Sequence, residues 1–226
     1  MQHTITHILP IIGAGAFALA IIFERAFSLY LRYPLNAKKF LAEVKQRVLQ
    51  NNIAGAIQLC SDQGSALGAK VAKAGLLRAS RDNSQIVAAV EIECHEAVST
   101  LRKRIAYLAM LANVATLLGL LGTVYGLIKS FAAVASVDAA TKSMLLAEGI
   151  SVSMNATASG LAVAIPAMIA FSILQSRANR LVEQVETIGM SVIDLLGGRT
   201  YREEWDEVEK PSVPVAGGKS KERSAA

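Results

Sequence analysis

Three long apolar runs divide a chain that is otherwise polar and basic. The first goes from Ile8 through Phe23 and continues past Glu24 and Arg25 into AFSLYL. The second goes from Ile105 to about Ala135, interrupted only by Asn113, Thr116, Thr123, Lys129 and Ser130. The third goes from Gly149 to Leu174 and contains Pro166. A helix needs roughly 20 apolar residues to cross a bilayer, and each run supplies them. The pattern therefore predicts an all-α membrane protein with transmembrane helices at 8–31, 105–135 and 149–174. No Lys or Arg precedes the first run, so it reads as a retained anchor behind a short periplasmic N-terminus, 1–7, and not as a cleaved leader.

Helical periodicity extends beyond the runs. PLNAKKFLAEVKQRVLQ carries apolar residues at Phe40, Leu41, Val44, Val48 and Leu49, and NNIAGAIQLC and ALGAKVAKAGLL predict two shorter helices separated by SDQGS. At DNSQ, Asp82 stands three residues before Gln85, the spacing of a capping box. From there Val90, Cys94, Val98, Leu101, Ile105 and Leu108 keep a three-to-four spacing, which predicts one continuous helix from about Asn83 to Ala135. The third span continues likewise through Leu181, Val185, Ile188, Val192 and Leu195, with Gly197-Gly198 as the expected stop. Residues 32–104 and 175–205 then form a cytoplasmic helical bundle, 136–148 a short periplasmic loop, and 206–226 a disordered tail.

Composition sharpens this picture. The chain is 53% hydrophobic but 5% aromatic, with net charge +5, pI near 9.3 and mean hydropathy +0.40. Its cations are unevenly placed: Arg32 to Arg104 holds twelve Lys and Arg, whereas the connection between spans two and three holds only Lys142. The positive-inside rule then gives an N-out, C-in orientation. The basic balance is a matter of topology, and no nucleic-acid partner is implied. Cys60 and Cys94 match no metal or redox spacing and read as reduced thiols.

Small and hydroxyl residues mark the spans. Gly119, Gly122 and Gly126 fall on one broad helical face suited to close packing, and Gly160 occupies the third span. Thr116, Thr123 and Ser130 recur every seven residues as a second, narrower line. In GISVSMNATASG, Ser153, Thr157, Gly160 and Ala164 share one face, while Ser151, Asn155 and Ser159 lie nearly opposite. One face is suited to a lumen and the other to a neighbour; the alternative is that all these hydroxyls are helix-packing contacts. The runs contain no central carboxylate, since Glu24, Arg25, Lys129 and Glu148 all stand near their ends. An ion pathway through such spans therefore needs its acceptor from another polypeptide.

ATLLGLLGTVYGLIKSF and GISVSMNATASGLAVAIPA resemble the paired membrane signature of the MotA/TolQ/ExbB proton-channel family, and FERAFSLYLR resembles that family's exit from its first span. Three spans and a large first cytoplasmic segment resemble the ExbB/TolQ branch. The resemblance implies a homo-oligomer, a pentamer, around a single-span ExbD/TolR-like partner with a membrane aspartate. It also implies an inner-membrane location in a bacterium and a periplasm-spanning TonB/TolA-like protein as a further partner. It maps pore threonines onto Thr123 and Thr157, with Ser153 and Thr116 beside them. The family's glutamate position is Val152 here, so Glu148, Ser151 and Asn155 are candidates to replace it.

The function implied is a stator-like proton-channel subunit powering TonB-type transport or Tol-type envelope integrity. The alternatives are a motor for gliding motility and a non-conducting scaffold assembled through its glycine faces. No cofactor motif, metal-ligand set or catalytic spacing is present around His3, His7 and His95, so an enzyme is not expected.

Overall fold

The computed structural model describes residues 2–33, 35–135 and 138–209, with side chains described for 9–33, 35–135, 138 and 141–198. Among the described residues the chain is helical throughout, with no strand. Helix α1, Gln2–Phe27, passes into a π-helical turn at Ser28–Arg32. Three short helices follow, α2 at Ala37–Leu49, α3 at Ile53–Asp62 and α4 at Leu67–Leu76. Asn36 caps α2 by accepting from the Lys39 amide at 3.4 Å, and Asn52 caps α3 by accepting from the Gly55 amide at 2.8 Å. Then come α5 at Asn83–Arg102, α6 at Ile105–Val134 and α7 at Ala139–Glu209.

Three helical stretches are long and apolar enough to cross a membrane: Leu9–Arg32, one within Asn83–Val134, and one within Thr141–Gly198. Much of their surface is exposed hydrocarbon, including Leu117, Leu121, Ile128 and Phe131 on α6. An apolar surface of that extent is stable in lipid and not in water.

Helix α7 is the spine of the molecule. Its 71 residues reach about 105 Å at 1.5 Å per residue, several times the ~30 Å bilayer core. Its first half packs on α6 and α1 in a core that includes Ala18, Leu108, Ala112, Ala115, Ala164 and Ala167. Its second half carries Ile188, Val192 and Leu196 into a separate core formed with Phe40, Val44, Leu76 and Ile86. Cys60 is buried in that second core, which pushes its thiol up to about 11 by desolvation, so it stays protonated near neutral pH.

Several sequence expectations need correction. The helix expected to be continuous from Asn83 to Ala135 is interrupted at Lys103-Arg104, where Arg104 takes a left-handed φ of 62°. The apolar spacing survives the break because both helices present the same side to α7. Asp82 occupies the cap position of α5, but its side chain makes no capping bond; the Gln85 amide donates to the Asp82 carbonyl at 2.9 Å. The connection expected to be a loop over 136–148 is helical from Ala139, started by Asp138, whose carbonyl accepts from the Thr141 and Lys142 amides at 3.1 and 3.2 Å. Gly197-Gly198 does not stop α7, which runs on to Glu209. Each glycine costs about 1 kcal/mol in a helix, and the flanking helix formers absorb that. Of the expected tail, residues 206–209 are helical and 210–226 lie outside the described residues. The expected N-terminal segment is also helical, from Gln2.

Candidate functional site

Helices α6 and α7 approach most closely where their small residues face each other. A methyl group placed on Gly160 would lie 2.7 Å from the Ala115 carbonyl oxygen and 2.9 Å from the Gly119 Cα. One placed on Gly119 would lie 3.2 Å from both the Ala156 carbonyl oxygen and the Gly160 Cα. Only glycine lets these two backbones come so near. Gly122 similarly receives the Ala156 methyl, at 2.8 Å from where its own Cβ would be. The glycines are therefore used in packing one chain's helices together.

This close approach brings two hydroxyls into contact. Thr123 Oγ1 on α6 and Thr157 Oγ1 on α7 are hydrogen-bonded directly to each other. Each also reaches the Gly119 carbonyl, at 3.2 Å in both cases. Thr123 further reaches the Ser153 carbonyl at 3.3 Å. Each hydroxyl has one proton and more than one acceptor in range, so the pair is satisfied with either threonine as donor. Both residues are half-buried, so part of each stays accessible from outside the helix pair.

The remaining residues singled out from sequence are placed differently. Ser153 is 1% exposed, and its hydroxyl donates to the Gly149 carbonyl at 2.8 Å; its link to the threonines is through its backbone oxygen. Thr116 lies two turns from Thr123, is exposed, and donates to the Ala112 carbonyl at 3.0 Å. Ser130 donates to the Gly126 carbonyl at 2.8 Å and is buried against Gly149. Glu148, Ser151 and Asn155 are exposed on α7, away from the face that packs on α6, as are Val152 and Pro166. Of the two faces of the third span, the one with Ser153, Thr157, Gly160 and Ala164 is thus the intramolecular one. Among the described residues no three His, Cys, Asp or Glu side chains are grouped to hold a metal.

A second constellation was not singled out from sequence. Arg25, on α1, is 5% exposed and donates through Nη2 to the carbonyls of Thr100 at 3.0 Å and Leu101 at 2.5 Å. These are last-turn carbonyls of α5, which lack helical partners once the helix ends. The neighbouring Glu24 accepts a forked pair of bonds from Arg104, both at 2.7 Å. Adjacent side chains on α1 therefore clamp both sides of the α5–α6 break. The sequence signal was an acid-base dipeptide at a span's edge, but its partners lie 75 to 80 residues away.

The sequence model of the MotA/TolQ/ExbB proton channel family matches residues 63–187, a stretch that holds both threonines, the glycine contact and the α5–α6 break. The chain belongs to this family. It is 37% identical over 91 residues to the Tol-Pal system protein TolQ of Haemophilus influenzae, a match covering 40% of each chain. It is 39% identical over 79 residues to the biopolymer transport protein exbB1 of Vibrio cholerae, covering 35% of each. These relatives place the chain on the ExbB/TolQ-like branch of the MotA/TolQ/ExbB family, although it spans only about 40% of the first relative's length in alignment. The fold is shared with the C. jejuni MotAB structure, with a TM-score of 0.64 and 14% identity over 95% of this chain and 86% of that one.

Proposed function

We propose that this MotA/TolQ/ExbB-family chain is a stator-like proton-channel subunit of the bacterial inner membrane. Five copies surround a single-span ExbD/TolR-type partner that supplies a membrane carboxylate, and ion flow through the assembly drives work on the cell envelope through a TonB- or TolA-like protein. The observation that carries this is the Thr123–Thr157 hydroxyl pair, built by a close helix crossing inside an apolar layer. A pair that can reverse its donor direction without stranding a proton suits a path along which an ion or its hydration shell passes. The apolar segments 105–128 and 149–174 contain no Asp, Glu, His, Lys or Arg, so the titrating carboxylate comes from the partner. Each charge moved through 100 mV releases about 2.3 kcal/mol, enough for repeated conformational steps.

The test is proton flux in vesicles containing the chain and its partner. Thr123→Val is expected to lower flux at least roughly tenfold, equivalent to about 1.4 kcal/mol on the barrier, while Thr123→Ser retains most of it. Undiminished flux in Thr123→Val would remove the threonine pair from the pathway.

A further inference from the structure

At the end of the first span the structure forms an open cavity of about 770 Å³ between the start of α2 and the middle of α7. That is within the range of about 300–1,000 Å³ found for small-molecule sites. Its charged lining is Lys38, Arg177, Arg180 and Glu183, three cations against one carboxylate. None of the three cations forms an ion pair among the described residues. Arg177 is held with its guanidinium carbon 5.1 Å over the ring of Tyr30, and its buried Nε has no hydrogen-bond partner. The ring contact fixes the guanidinium plane while leaving its donors unspent. Ala37 and Lys38, which also line the cavity, belong to the first turn of α2, where backbone amides lack helical acceptors.

We propose that this cavity binds the phosphate group of an anionic phospholipid. Planar guanidinium donors and an ammonium around a cavity of net positive charge match a phosphate's oxygens. The cavity's place in the fold favours a lipid as the source. Tyr30 belongs to the last turn of the first span, and the adjoining Phe27, Leu31 and Ile173 are exposed hydrocarbon on the same helices. A headgroup in the cavity leaves acyl chains beside those side chains, at the depth where basic residues attract anionic lipid. The proposal rests on the three-span membrane arrangement and is independent of ion conduction.

The test is native mass spectrometry of the full chain in detergent, with phosphatidylglycerol or phosphatidylcholine titrated in, for wild type and the double variant Lys38→Gln/Arg180→Gln. Both substituted side chains are exposed, so the variant is expected to fold, which circular dichroism checks. Wild type is expected to retain phosphatidylglycerol in preference to phosphatidylcholine, and the variant to bind it roughly tenfold more weakly. In a parallel arm, millimolar inorganic phosphate is added and thermal unfolding followed. If phosphate stabilises wild type but not the variant and displaces the lipid, the anion site stands with a soluble phosphate as its ligand. Equal phosphatidylglycerol retention by wild type and variant, or equal retention of the two lipids by wild type, overturns the proposal.

Discussion

Thr123 and Thr157, the proposed pathway residues, show how two hydroxyls can be accommodated in an apolar layer. Each hydroxyl sits one helical turn from a carbonyl of its own or the facing helix, so it enters the apolar layer without an unsatisfied proton. Removing one hydroxyl is a small structural loss, because a single such bond contributes about 0.5–1.5 kcal/mol. The flux defect expected of Thr123→Val should therefore appear in a protein that melts near the wild-type temperature. The line of Thr116, Thr123 and Ser130 is real as helical geometry, yet its members do different things: Thr116 is exposed, Thr123 pairs across helices, and Ser130 is buried against Gly149.

Between elements, two contacts set the geometry. The first is the glycine crossing of α6 and α7. In Gly160→Ala the new methyl meets the backbone of Ala115 and Gly119, which cannot rotate away as a side chain would. The helices must separate, and a loss of about 1–3 kcal/mol is expected in thermal or denaturant unfolding in detergent, with the Thr123–Thr157 contact loosened as well. The second is the clamp of α1 on the α5–α6 break. Arg25→Ala leaves last-turn carbonyls of α5 buried without their charged donor, so a loss of about 1.5–3 kcal/mol is expected in the same assay. Arg104→Ala, which removes only a half-exposed ion pair with Glu24, should cost about 0–1 kcal/mol. Comparing the two variants separates the buried part of the clamp from the exposed part.

At the scale of the whole molecule, α7 ties the membrane layer to the basic helical bundle through a single uninterrupted rod. Another connection between the two regions, α5 to α6, is broken at Lys103-Arg104. The lopsided distribution of Lys and Arg predicts that the bundle faces the cytoplasm. Asn51, in the turn between α2 and α3, and Asp138, ahead of α7, are both exposed and serve to test that orientation. In intact spheroplasts a membrane-impermeant maleimide is expected to label Asp138→Cys and to spare Asn51→Cys until the cells are opened. The reverse pattern would invert the topology.

The helical class, the three apolar spans and the short helices of the bundle were legible in the sequence, because they are written in spacings of three and four residues along single helices; the threonine pair was singled out by the family resemblance together with the hydroxyl spacing. The sequence did not determine where helices end when local signals and surroundings disagree. Gly197-Gly198 looked like a stop and is overridden by neighbouring helix formers, while Lys103-Arg104 looked continuous and is broken. Helix packing alone establishes that Arg25 and Glu24 hold that break, that the glycines pack helices within one chain, and that the Ser153 face of α7 meets α6 while Ser151 and Asn155 stay exposed. The reason is range: a helical repeat is fixed by neighbours four residues apart, whereas these choices depend on contacts 30 to 80 residues apart that exist only once the helices have packed.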